Sequence, residues 1–123
     1  MRALMIGAAV LLSLGQAEAK TSYEKQAVIE WVKQNLRDPY SIRGAKITAP
    51  VSFGDDAVLV CVEMNAKNAY GGYIGAERHP FVFKAGRVVG PNQYYSARVN
   101  VTTSTCEGAL PLNWRPFPEL ERL

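Results

Sequence analysis

The chain predicts an α+β domain: one N-terminal helix packed on a mostly antiparallel β-meander, tied by one disulfide and followed by an irregular C-terminal tail. Three observations carry that expectation. After the first twenty positions, apolar residues recur at helical spacing only once, over residues 21–37. From residue 41 onward they alternate at the period of two that strands use. Two cysteines, Cys61 and Cys106, stand in a chain that opens with an export signal.

The opening segment sets the compartment. Arg2 gives a short positive start, residues 3–14 run apolar, and Ala17-Glu18-Ala19 supplies small residues one and three positions before a cut between Ala19 and Lys20. The apolar run is too short to cross a hydrocarbon core, which takes roughly 20 apolar residues as helix. The expected organisation is therefore a cleavable signal peptide at 1–19, an α+β domain at 20–107 and a Pro-rich segment at 108–123. The mature chain is expected in the periplasm or secreted, with no transmembrane segment. No cysteine stands near the cut to carry a lipid.

Within the domain, Tyr23, Ala27, Val28, Trp31, Val32 and Leu36 form the helical stripe, widened by Ile29. Thr21 and Glu24 have capping-box spacing at its start, and Asp38-Pro39 stops it by forcing the residue before proline out of helical geometry. Residues 41–48 read as a first strand, weakened by Gly44. A turn follows at Phe53-Gly54-Asp55-Asp56. Residues 57–65 are the strongest strand, with Val58, Val60, Val62 and Met64 on one face and Leu59, Cys61 and Glu63 on the other. So little polarity on either face predicts a central strand, or one covered on its second face near Cys61. Residues 77–83 follow, turning at Lys84-Ala85-Gly86-Arg87 into Val88-Val89, and residues 95–103 read as the last strand.

In an oxidising compartment the even cysteine count predicts a Cys61–Cys106 bridge. Closing so long a loop stabilises by about 4 kcal/mol in the chain-entropy model. After Cys106, the prolines at 111, 116 and 118 forbid long regular structure. Leu110, Leu112, Trp114 and Phe117 are apolar enough to drape this segment over the sheet; a mobile tail is the alternative.

A hydrophobic fraction of 48% and a charged fraction of 20% exclude a disordered chain. The net charge of +3 is scattered over Lys46, Lys67, Arg78, Lys84, Arg87 and Arg98, not gathered on one run as nucleic-acid binding requires. His79 is the single histidine, without metal or acid–base partners beyond its strand neighbours. Asp55-Asp56 lacks the ligand count for calcium, and Asn100-Val101-Thr102 matches a glycosylation acceptor that matters only in a eukaryotic host. Neither cofactor nor metal is called for.

The most unusual segment is 65–75. Asn65, Lys67, Asn68, Tyr70, Gly71, Gly72 and Tyr73 combine backbone freedom, rigid aromatic area and adaptable hydrogen bonding, a mixture common in binding loops. A plain hairpin connection accounts for the same composition. Lys67 precedes the glycines and no Lys-Ser or Lys-Thr follows them, so this is not a phosphate-cradling loop.

Pro39-Tyr40-Ser41, the run Cys61-Val62-Glu63-Met64-Asn65-Ala66-Lys67-Asn68, then Tyr70-Gly71-Gly72-Tyr73, Gly75 and Pro80-Phe81 make a recognisable set. In these residues the mature chain up to Phe83 resembles a group of small exported proteobacterial proteins, some of them lipid-anchored, of no assigned activity. The resemblance implies a Gram-negative envelope setting and supplies no reaction. The missing cysteine at the cut departs from the lipid-anchored members and points to a soluble periplasmic product.

The leading expectation is a non-catalytic envelope protein that contacts a protein or cell-wall polymer through the 65–75 loop with Tyr94 and Tyr95 nearby. A secreted inhibitor of a hydrolase is the second, since a rigid loop loses little entropy on docking. A small hydrolase using paired carboxylates among Glu24, Glu30 and Glu63 is the third.

Overall fold

The computed structural model describes residues 22–53, 56–84, 87–90, 94–95, 100–101, 103–108 and 111–123. The expected signal at 1–19 lies outside them. Among the described residues, one α-helix, α1 (Tyr23–Asn35), precedes eight strands: β1 (Arg43–Thr48), β2 (Val51–Phe53), β3 (Ala57–Asn65), β4 (Glu77–Lys84), β5 (Arg87–Gly90), β6 (Tyr94–Tyr95), β7 (Asn100–Val101) and β8 (Trp114–Pro116). The main sheet has the order β5-β4-β3-β1-β8, with β2 also paired to β3, and every pairing is antiparallel. The α+β expectation holds, disulfide included.

Helix α1 starts at Tyr23, two residues later than the expected span of 21–37. Ser22, not Thr21, is the N-cap; its hydroxyl accepts the Lys25 N–H at 3.4 Å. Thr21 lies outside the described residues. At the other end Leu36 is already extended, so the helix stops before Asp38-Pro39, and Pro39 instead opens a 3-10 turn over Pro39–Ser41. That turn takes the first residue of the strand expected from 41, and β1 begins at Arg43. The buried stripe of Val28, Ile29 and Val32 packs on Val60, Val62, Met64, Phe81 and Phe83. Trp31 meets Phe81 edge-on, ring centroids 5.3 Å apart, and serves the core as expected.

Strand β3 is covered on both faces. Val60 and Cys61 are neighbours that point opposite ways, and neither is exposed to solvent. The second face packs Ala57, Leu59, Cys61 and Val82 against Val101 and Cys106, with Leu112 and Trp114 at its margin. Cys61 and Cys106 form the disulfide, Cα atoms 5.8 Å apart, closing 45 residues of sequence separation. Along its free edge β3 is shared: β1 pairs with its last third and β2 with its first. Between the two, the Thr48 hydroxyl accepts the Cys61 N–H at 2.9 Å and satisfies a buried donor that neither strand reaches. Pro80 stands opposite Cys61 in β4, where β5, whose pairing begins at Val82, does not reach its other side.

Two expectations need correcting. Residues 95–103 do not form one strand: Tyr94 pairs with Val101 and Tyr95 with Asn100, so β6 and β7 fold back on each other, and Thr103–Glu107 turns as a 3-10 helix. The alternation of Ala97, Val99 and Val101 mimicked a strand, although 96–99 lie outside the described residues. The second concerns β2, which pairs with β3 where Phe53 is expected to open a turn and Val51 and Ser52 to belong to no element.

The Pro-rich segment drapes, and does so tightly. β8 pairs antiparallel with β1, Phe117 N–H donates to the Ala45 carbonyl at 2.9 Å, and Phe117 and Leu120 are fully buried in the helix-side core. The Glu121 carboxylate accepts the N–H groups of Gly44 (2.6 Å) and Ala45 (3.3 Å) at a register break in β1, where Gly44 takes φ +62°. Lys25 on α1 donates to Glu119 at 3.0 Å. Burial pushes the Glu119 carboxyl up, but its own backbone N–H, Lys25 and Arg122 outweigh that and hold it below the usual range.

Phe117→Ala is expected to destabilise by about 3–5 kcal/mol, as removal of a fully buried ring does. Chemical unfolding measures it; a loss under about 1 kcal/mol would mean that the C-terminal segment is not part of the core.

Candidate functional site

The 65–75 loop joins the two central strands, so the best-buried hairpin of the sheet sets its base. Its backbone is held by its own asparagines. The Asn68 side-chain oxygen accepts the N–H groups of Tyr70 (2.9 Å) and Gly72 (3.2 Å). Asn68 N–H donates to the Gly72 carbonyl and Gly71 N–H to the Asn68 carbonyl. Gly71 turns with φ +81° and Gly75 with φ +106°, conformations that other residues adopt at a cost. The Asn65 side chain accepts the Gly75 N–H at 3.2 Å and closes the loop at its neck.

Ser41 fastens the loop to the rest of the protein. Its hydroxyl accepts the Lys67 N–H at 2.9 Å and its carbonyl accepts the Tyr73 hydroxyl at 2.7 Å. The Tyr73 ring lies beneath the Arg43 guanidinium, 3.6 Å from its centroid, with the Lys67 ammonium at 5.8 Å. The expected site residues thus divide in two. Asn65, Asn68 and Tyr73 hold the loop, and Gly71 permits its turn. Tyr70 is displayed at the tip, 97% exposed, and Lys67 and Gly72 are exposed with it.

Sequence reasoning did not single out Ser41 or Arg43 as contributors, nor Tyr40 and Ile74 as exposed surface. Tyr40 is 71% exposed and adjoins Ser41; Ile74 is 61% exposed on the loop. The quoted Pro39-Tyr40-Ser41 run was the available signal for the first of these. Beneath the loop, where α1 ends short of the end of the sheet, a groove of about 180 Å³ opens. Buried Met64 lies at its base, with Leu36, Ala66 and Ile74 among its walls, and Arg37, Lys67, Glu77 and His79 line it too.

The other candidates lie apart. Glu63 shares a face of β3 with Cys61, away from α1, while Glu24 and Glu30 ride on the helix. Glu63 is engaged by Arg78 (3.0 Å) and Lys46 (3.8 Å). The sheet thus stands between it and the helical glutamates. Cys61 and Cys106 are spent on the disulfide. Tyr94 and Tyr95 occupy β6, and their side chains lie outside the described residues, as does Asp55 of the acidic pair. Among the described residues, no group of three histidine, cysteine or acidic side chains is spaced to hold a metal ion, and no helix is long and apolar enough to cross a membrane.

Comparisons with protein-family models, curated proteins and solved structures find no match to this chain.

His79 faces the groove with its Nε2 3.6 Å from Glu77. Burial pushes the imidazole below its ordinary value of 6.5, against the opposing pull of Glu77. A histidine that resists protonation when folded takes up its proton more readily when unfolded. Its contribution to stability is therefore complete above about pH 6.5 and is lost as the pH falls towards the folded value. Unfolding midpoints are expected to drop between about pH 7 and pH 5.5, and His79→Gln should flatten that drop. A midpoint that rises on acidification, or an equal drop in the variant, would refute this reading of His79.

Proposed function

We propose that this protein is exported and non-catalytic, and that it holds a protein or cell-wall partner of the envelope against the 65–75 loop. One observation carries the reading. Of the four large hydrophobic side chains exposed among the described residues, three (Tyr40, Tyr70 and Ile74) gather on or beside a loop whose backbone is bonded to itself and to Ser41. Tyrosines on a preorganised frame supply contact area at little entropic cost on binding. Exposed apolar side chains that cluster, unlike singly scattered ones, mark interaction surfaces.

The export half of the proposal draws on the charged, apolar and small-residue order of residues 1–19. The disulfide agrees with an oxidising compartment, and the resemblance to small exported proteobacterial proteins suggests the periplasm. Native material is expected to begin at Lys20.

The same preorganised loop favours a second reading, inhibition of a wall-degrading hydrolase by insertion of Tyr70 into its cleft. Titration against a panel of lytic hydrolases separates the two. Activity lost to wild type and retained with Tyr70→Ala indicates an inhibitor; unchanged activity throughout removes that reading.

A photo-crosslinking residue at position 70 is expected to capture specific envelope components that one at exposed position 30 does not. Tyr70→Ala should abolish their retention while leaving the thermal midpoint within about 3 °C, since the substitution removes only exposed surface. Identical adducts from positions 70 and 30, or full retention by Tyr70→Ala, would contradict the proposal.

A further inference from the structure

We infer that the groove beneath the loop receives the C-terminal residue of a partner polypeptide, its apolar side chain inside and its carboxylate at Arg37 and Lys67. The inference deepens the proposed function and rests on the loop face being the contact surface. Size comes first. An apolar cavity of about 150 Å³ accommodates a benzene ring, and this groove encloses about 180 Å³ between Leu36, Met64 and Ile74. One branched or aromatic side chain fills it.

Charge then selects the rest of the ligand. Arg37 and Lys67 are exposed basic side chains, and both line the groove. One carboxylate, Glu77, faces them, and it sits beside His79 at 3.6 Å. Burial pushes that histidine below its ordinary value, against the pull of Glu77. Among the described lining residues, two basic side chains stand against one carboxylate. A chain terminus carries an apolar side chain and a carboxylate on the same residue, and so matches both requirements within a few ångströms. An internal apolar residue meets only the first. Ile74, 61% exposed, lines the groove and belongs to the same loop as exposed Tyr70. The remainder of a partner chain would lie along that loop.

The test titrates the folded, disulfide-bonded, isotopically labelled protein with three peptides, followed by amide chemical shifts. These are acetyl-dialanyl-phenylalanine as free acid, the same peptide as C-terminal amide, and acetyl-trialanine acid. The phenylalanine acid is expected to shift the amides of Ala66, Lys67, Ile74 and Gly75 saturably, with the other two at least about tenfold weaker, as loss of a charge-assisted hydrogen bond or an apolar anchor implies. Arg37→Ala and Lys67→Ala, both at exposed positions, should each weaken binding about tenfold while the spectra stay dispersed. Acid and amide binding alike, shifts confined to other regions, or no shift at about 5 mM peptide would overturn the inference. So would 3-phenylpropionate binding as tightly as the peptide, which would make the site one for small acids, or peptide-free shifts that grow with protein concentration, which would make the occupant a second copy. Tyr70→Ala keeps the two readings apart. It should leave the peptide titration unchanged, so full retention of envelope components by that variant removes the loop reading alone, whereas a failed titration beside lost retention removes the groove alone.

Discussion

Everything in this fold is arranged around a strand that must be covered twice. The apolar residues of β3 occupy both of its faces, and at Val60 and Cys61 two adjacent side chains are wholly buried in opposite directions. Among the described residues one α-helix is available, and α1 covers only the Val60 side. The second face is closed by the chain's own return, and the disulfide from Cys61 to Cys106 holds that return in place. A covalent tie is a reasonable answer to a thin layer, because cross-linking limits the unfolded chain whatever the packing contributes. The hairpin of β3 and β4 then becomes the most firmly held part of the molecule, and the loop that joins them inherits a fixed base.

The end of the chain completes the structure laid down by its beginning. Gly44 interrupts the register of β1, and an interruption leaves backbone donors without strand partners. The Glu121 carboxylate supplies the missing acceptor for two of them, while Phe117 and Leu120 fill the core beside α1 and Glu119 pairs with Lys25. The prolines that forbid a long strand in this segment do not forbid a short one on an edge, where one side of the strand needs no partner. Three residues of β8 suffice to protect the β1 edge.

What the sequence reveals follows from periodicity. Helix α1, β3 and β4 were legible because burial on one or two faces imposes a repeat, and the disulfide because two cysteines follow an opening segment that reads as an export signal. β2 and β8 were not, since three residues carry no period. The stretch from 95 to 103 carried the right period and still folds back on itself, because alternation does not say which strand is the partner. Around the loop, composition marked the segment but not its division of labour. Asn68 and Tyr73 look as available as Tyr70 in a one-dimensional reading. Only the hydrogen bonds of Asn68 to Tyr70 and Gly72, and of Tyr73 to Ser41, turn them inward. The groove was beyond the sequence entirely, since Arg37, Lys67 and His79 come from three separate elements that meet where the helix runs out.

Binding through Tyr70 requires a loop that is stiff although it is exposed, a frame that keeps Tyr70 in the solvent. Backbone nitrogen relaxation of residues 67–75 measures this directly. Order parameters close to those of β3, about 0.85, are expected, with the Tyr70 amide no looser than its neighbours. Values below about 0.6 across the segment would show a flexible connection and contradict the claim that the loop is built to present a surface.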